Sequence, residues 1–320
     1  MKRVSSKAPN GPISRGPEES WPPYVRKPLR GRVALVAGAT RGAGRAIAVS
    51  LGLAGATVYA TGRSVRGHPA TPGRSETLDE TVEIIRSLGG RAHAVRTDHT
   101  VESEVRQLVK AIARREHGRL DILVNDVWGG EDLIEWGQPP WTMNYQVGRE
   151  LLERAVLSHI LTSRYAVPLM VRRKKGIVFE VTDGEHQLYR GSFFYDLVKT
   201  TVIRLALAYH EEFQEAGLTR MTAISVTPGF LRSEYMLDKF GVNEATWRDA
   251  IPRERHWESS ETPYLLARGV VALATDPKVN RWSGKAVGSW DLAKRYELFD
   301  LNGTRPDWGA VFRRIVLEGE

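Results

Sequence analysis

The sequence holds no cysteine among its 320 residues, which excludes disulfides and thiolate metal sites and suits a reducing compartment. It has no unbroken apolar run of the ~18 residues a membrane helix needs, and its opening stretch lacks the apolar core of a signal peptide. A cytoplasmic protein without membrane association is therefore expected. The eight histidines form no His-Glu-x-x-His pair and no close His/Asp cluster with ligand spacing, so no metal is expected either.

Acidic residues are scarce at the start of the chain. Residues 1–32 carry eight basic side chains against Glu18 and Glu19, so +6 of the formal +8 sits there and about +2 is spread over the rest. The same stretch is rich in Pro, Gly and Ser and cannot build a core, so residues 1–30 are expected to form a flexible basic arm. The arm lacks the interleaved aromatics of a base-stacking surface, and no nucleic-acid partner is expected.

With 42% apolar residues, the remainder is long enough to bury a sizeable core. Short apolar runs at 33–37, 57–61, 92–97, 122–125, 177–182, 222–226 and 285–288 alternate with longer segments of helical period. Helices cover both faces of a parallel strand, so its residues are apolar throughout, as Val33-Ala34-Leu35-Val36-Ala37 is. The pattern predicts a single-domain α/β fold of Rossmann type: a doubly wound, parallel, seven-stranded sheet with helices on both faces. The domain is expected to span 31–290, followed by a C-terminal extension, 291–320. Stretches 126–147 and 227–260 are too long for ordinary connections and are expected to be substrate loops.

Directly after the first run comes Gly38-Ala39-Thr40-Arg41-Gly42-Ala43-Gly44, then an apolar helix from 45 to about 54. Glycines at these places let the backbone turn tightly and approach a pyrophosphate whose charge sits on the helix N-terminus. After the second run, an acid would bind the ribose 2′-hydroxyl of NAD, whereas a basic group accepts the 2′-phosphate of NADP. From Ala56 to Ser75 there is no Asp or Glu, while Arg63, Arg66 and Arg74 are present and Arg41 lies in the turn itself. A guanidinium pairs with phosphate oxygens in bidentate fashion, so NADP(H) is the preferred cofactor, with NAD(H) open if these arginines are merely solvated.

Tyr195-Asp196-Leu197-Val198-Lys199 opens a further helix, and the i, i+4 spacing puts phenol and ammonium on one face. A phenol ionises near pH 10, and lowering that by about three units requires about 4 kcal/mol of preferential phenolate stabilisation, which an adjacent cation can supply.

With these elements on one chain, the sequence resembles the short-chain dehydrogenase/reductase family over about residues 31–290. The resemblance rests on the Gly38, Gly42, Gly44 turn, Thr97-Asp98, Asn125, Tyr195 with Lys199, and Pro228-Gly229. Within the family it is similar to the dehydrogenase/reductase member 1-like group, through 118–125 (GRLDILVN), 272–277 (ALATDP) and 291–296 (DLAKRY). The resemblance implies a carbonyl reductase or alcohol dehydrogenase. Tyr195 would protonate the nascent alkoxide, and Lys199 would hold the ribose and tune the phenol. Thr40, Arg41 and Ala43 would line the phosphate turn, and Asp98 would sit at the adenine with His99 nearby. Asn125 and Val127 would lie behind the cofactor, and Pro228, Gly229 and Ser233 at its carboxamide. Homodimers or homotetramers through segments 151–170 and 192–216 are implied as well.

The chain also departs from the family. The substrate-polarising serine falls on Thr182 or Asp183 depending on the direction of counting, and the helix asparagine falls on Ala155. Asp126 replaces the second asparagine of the Asn-Asn-Ala-Gly turn, and Ala37 the usual threonine. Two negative charges about 5 Å apart at an effective dielectric of about 20 repel by about 3 kcal/mol, so ionised Asp183 beside phenolate is unfavourable. Either Asp183 is protonated and donates to the substrate carbonyl, or it turns away and Thr182 does so, or it only caps the following turn. The alternative to turnover is a nucleotide-binding sensor or scaffold of weak or absent activity. Trp128, Trp136, Trp141, Phe230, Tyr235, Met236, Phe240, Trp247 and Trp257 fall in the long loops. They either pack those loops or line a cleft for a bulky hydrophobic carbonyl or alcohol. Glu185 and His186 either meet a polar substrate or are solvated.

Overall fold

The computed structural model describes residues 27–185 and 188–317, without the side chains of 316 and 317. Most of the basic arm, and His186, lie outside the described residues. Seven strands form one parallel sheet in the order β3-β2-β1-β4-β5-β6-β7. They are β1 (Val33–Ala37), β2 (Thr57–Gly62), β3 (Arg91–Arg96), β4 (Ile122–Asn125), β5 (Gly176–Val181), β6 (Met221–Thr227) and β7 (Ala286–Gly288). The single-domain Rossmann-type sheet read from the sequence is therefore the observed fold.

The helices follow from the same alternation: α1 (Gly42–Leu53), α2 (Leu78–Ser87), α3 (Glu102–Arg115), α4 (Tyr145–Leu152), α5 (Ser158–Arg172), α6 (Phe193–Glu215), α7 (Glu234–Phe240), α8 (Pro263–Thr275), α9 (Ser289–Arg295) and α10 (Trp308–Phe312). α4 and α5 are joined by a π-helical segment, Glu153–Leu157. Every residue of β1, β2, β4 and β6 is buried, and two apolar layers pack on opposite faces of the sheet. Each fully buried Leu, Ile or Val there contributes about 1.5–3 kcal/mol. β3 alternates in exposure because it is the sheet edge.

Strand order reverses between β1 and β4, where Ala37 pairs with Asn125 on one side and Thr61 on the other. Two crossovers leave this point in opposite directions, so the carboxyl ends of β1 and β4 open into a crevice. The C-terminal segment closes it from outside. Buried Arg232 lies 3.2 Å from Asp300 and 3.0 Å from Glu244, which ties the 227–260 stretch to residues beyond α9.

Candidate active site

The crevice begins with a turn that only glycine permits. Gly38 has φ +91°, and a Cβ there would meet the Asp126 carbonyl oxygen at 2.2 Å; a Cβ on Gly44 would meet the Gly38 carbonyl oxygen at 2.2 Å. β1, the chain leaving β4 and the start of α1 are thus in backbone contact. α2 begins with a capping box on Thr77 and Glu80, but α1 has no side-chain cap at Arg41. Instead the Gly42 N–H donates to Glu234 Oε2 at 2.9 Å. A carboxylate from α7 stands where the helix N-terminus attracts an anion, so the donors present fit a pyrophosphate. Thr40, Arg41, Gly42 and Ala43 line a cavity of about 790 Å³, while Gly44 lies behind its wall.

At one end of the cavity stand Arg41, Arg63 and Asp98. Arg63 lies 3.9 Å from Asp98, and Arg41 lies 4.0 Å from Glu76 and donates to Thr71 Oγ1 at 3.3 Å. The acid-free window from 56 to 75 is closed in space by Glu76, one residue beyond it, which also pairs with Arg74. Arg66 pairs with Glu83 on the exposed surface. Arg41 and Arg63 alone of the four line the crevice. Burial pushes the Asp98 carboxyl up, but hydrogen bonds from Thr100 and the charge of Arg63 outweigh it and hold the carboxyl below its ordinary value.

The other end is built around α6. Tyr195 and Lys199 sit deep in the fold and open on the cavity. The Tyr195 hydroxyl donates to Asp183, and Arg190 Nη2 lies 3.0 Å from the same carboxylate oxygen. Trp128 meets the Tyr195 ring edge-on at 5.7 Å, Trp136 lies at 5.3 Å, and the Lys199 ammonium stands 3.9 Å over the Trp128 ring. Burial first, then the charge and hydrogen bond of Asp183, push the Tyr195 phenol well above its ordinary value, which is opposite to the lowering expected from Lys199. Burial also lowers Lys199, against the pull of Asp183, Asp126 and Glu131.

A family model described as short chain dehydrogenase matches residues 32–241. The mouse (Mus musculus) protein Dehydrogenase/reductase SDR family member 1 is 35% identical over 280 residues, covering 86% of this chain and 85% of that protein. The chain belongs to the short-chain dehydrogenase/reductase family of oxidoreductases. The human (Homo sapiens) protein of the same name is 33% identical over the same shares of the two chains. A hydroxysteroid dehydrogenase of known structure from Escherichia coli shares the fold with a TM-score of 0.65 at 23% identity, covering 82% of this chain and 98% of that one.

Against this family's pattern, the structure distributes the sequence candidates unevenly. Thr182 donates its hydroxyl to the Lys199 carbonyl at 2.8 Å, so its proton ties β5 to α6, and Asp183 faces Tyr195. His99 lines the cavity, but both ring nitrogens are engaged, with Thr61 and Thr162 at 2.8 Å, and burial lowers its pKa to about 4. Its side chain braces β2 against α5 and does not face a cofactor as a free donor. Asn125 is fully buried outside the cavity wall; its amide donates to Ser163 and to Glu180, and Glu180 holds His159, whose other nitrogen lies 3.1 Å from the Val127 carbonyl. Val127, Pro228, Gly229 and Ser233 line the cavity, and Ser233 Oγ also caps α7 by accepting from the Met236 N–H. Ala155 lies in the π-helical segment, and His159, one turn on, lines the cavity. Asp126, deep beside the turn, is pushed up to about 7, mainly by burial, against Lys199, His159 and the Gly44 N–H. Among the described residues, no cluster is placed to hold a metal, and no helix is long and apolar enough to cross a membrane.

The loop aromatics divide as well. Trp128, Trp136, Phe230, Tyr235, Met236 and Phe240 line the cavity. Trp247 and Trp257 are buried in a satellite core, and Trp141 is 84% exposed. Glu185 leaves the cavity and accepts from the Gly288 N–H, with its carboxyl pushed up to about 7, chiefly by burial. Sequence reasoning missed Arg190, Glu131, Glu234, Trp308 and Phe312, all of which line the cavity. Glu234 follows Ser233 directly and was within reach of the motif. The others stand in no motif and meet the site only through the fold.

Proposed function

We propose that the protein is an NADP(H)-dependent oxidoreductase that interconverts a carbonyl and an alcohol on a bulky hydrophobic compound. What carries the proposal is the continuity of one cavity, with a glycine turn and two arginines at one end and Tyr195, Lys199 and Asp183 at the other. The Gly42 and Ala43 end of α1 would hold the pyrophosphate, Arg41 and Arg63 the 2′-phosphate, and Lys199 the neighbouring ribose. A nicotinamide dinucleotide bound there supplies or accepts the hydride. Tyr195 Oη holds the proton that the substrate oxygen gains or loses. Trp128, Trp136, Phe230 and Trp308 exclude water from that oxygen and favour an apolar substrate body. Exposed Leu157 and Ile160, with Leu197 on α6, support a homodimer or homotetramer through segments 151–170 and 192–216. A cytoplasmic setting fits the cysteine-free composition.

Calorimetric titration with NADPH and NADH tests the cofactor half without knowledge of the substrate. NADPH is expected to bind at least tenfold more tightly, a gap of about 1.4 kcal/mol. A preference for NADH overturns the role of Arg41 and Arg63, and failure to bind either overturns the function as a whole.

A further inference from the structure

The resemblance implies a neutral serine beside the catalytic tyrosine; this chain has an acid there, and the acid is not alone. Tyr195 donates to Asp183 Oδ2, and Arg190 Nη2 lies 3.0 Å from that oxygen. Arg190 is itself held, with its guanidinium 5.1 Å from the centre of the Phe312 ring, so the C-terminal segment fixes the cation that faces the acid. The Thr182 proton is spent on the Lys199 carbonyl, and the Lys199 ammonium lies over Trp128, 5.5 Å from the centre of the Tyr195 ring. Among the described residues, the other charged or titratable groups around Asp183 and its neighbours include Asp126 and Glu131 after β4, Lys199 and Asp196 on α6, the latter accepting from the Arg190 N–H at 3.1 Å, and Glu254, Arg255 and His256 at the turn Arg255–Ser259.

We propose that Asp183, clamped by Arg190, stores the proton that Tyr195 exchanges with the substrate, so that Tyr195 acts as a relay and never stands as a free phenolate. The proposal rests on the oxidoreductase function above. In alcohol oxidation the substrate O–H bond breaks and its proton bonds to Tyr195 Oη, while the Tyr195 O–H bond breaks and its proton bonds to Asp183 Oδ2. The carbinol C–H bond gives its hydride to an oxidised nicotinamide dinucleotide, which leaves C=O. Reduction runs the same transfers backwards and needs Asp183 protonated at the start. A serine cannot store a proton in this way, whereas a carboxylate can. Phenolate beside an ionised carboxylate is strongly disfavoured, and the relay avoids it because the negative charge resides on Asp183, opposite Arg190.

The test begins on the full chain without substrate, by ultraviolet titration of tyrosinate, with the matching Tyr195→Phe background subtracted from each protein. Asp183→Asn is expected to lower the Tyr195 midpoint by one unit or more, at least tenfold more phenolate at a fixed pH. Arg190→Gln is expected to raise it. No shift in Asp183→Asn, or shifts of the same sign in both variants, overturns the proposal; a merely structural disturbance has no reason to move the two in opposite directions. Asp183→Ser should shift the midpoint as Asp183→Asn does, which keeps the test decisive if one variant folds poorly. A solvent-deuterium proton inventory of cyclohexanol oxidation is the second readout: curved for the wild type, with two protons in flight, and linear for Asp183→Asn. A linear wild-type inventory overturns the relay. Absence of wild-type turnover with any alcohol overturns the function on which the relay rests, while the titration still decides whether Asp183 holds the Tyr195 proton.

Discussion

The Gly38–Gly44 end of the cavity is made by backbone, and the Tyr195 end by side chains carried in from separate segments. At the first end, three chain segments touch through main-chain atoms, and a Cβ on Gly38 or Gly44 would fall 2.2 Å from a carbonyl oxygen. At the second, Asp183 follows β5, Arg190 precedes α6, Trp128 and Trp136 follow β4, and Phe312 lies in α10. A site built from backbone is specified by a few adjacent residues and tolerates little change. A site built from side chains can exchange its serine for an acid with a matching cation and keep the surrounding fold. The family's phosphate-turn glycines are accordingly present in this chain, while the exchange of serine for an acid with a matching cation falls beside Tyr195.

Five substitutions probe this contrast. Tyr195→Phe removes the proton group and leaves the backbone end intact, so turnover should fall about 10³-fold, about 4 kcal/mol, with NADPH binding little changed by calorimetry. Parallel losses of turnover and NADPH affinity would erase the distinction between the ends. Gly44→Ala places a carbon against backbone that cannot move aside, and urea unfolding should show a loss of about 3 kcal/mol or more.

Asp126→Asn probes the seam between the ends. The native carboxyl is pushed up to about 7, above its value of about 4 in an unfolded chain, so the folded state binds the extra proton and stability falls as pH rises from about 4 through about 7. The amide should therefore stabilise the protein by about 2 kcal/mol near pH 8 and hardly at all near pH 4, as read from denaturant midpoints. A gain independent of pH would remove Asp126 from this account. Trp308→Ala opens the substrate wall, and KM for an apolar ketone should rise about tenfold, about 1.4 kcal/mol, with kcat nearly constant. Glu234→Gln withdraws the carboxylate now at the Gly42 N–H, and NADPH should bind about threefold more tightly, a gain below about 1 kcal/mol. Weaker binding would mean that α7 helps the cofactor.

Legibility in the sequence follows the same division. The βα alternation and the strand 33–37 could be read because a buried parallel strand needs apolar residues on both faces, a local property. The turn could be read because glycine at 38, 42 and 44 answers a local backbone demand. Counting alone left Thr182 and Asp183 undecided, since the choice depends on which side chain α6 engages. Arg41 and Arg63 were visible as basic residues, but Glu76 was not visible as the neighbour of Arg41, because the contact forms across a loop. Trp308 and Phe312 carry no periodic signal that points at Tyr195, and only the closure by the C-terminal segment brings them to the cavity.

The most direct test of the central claim follows a labelled hydride. NADPH deuterated at the transferable position is incubated with the protein and a panel of bulky hydrophobic ketones, and the alcohols are read by mass spectrometry. One deuterium on the carbinol carbon, formed by the wild type and not by Tyr195→Phe, is the predicted result. Tight NADPH binding with no labelled alcohol from any ketone would contradict the account and leave a nucleotide-binding protein without this chemistry.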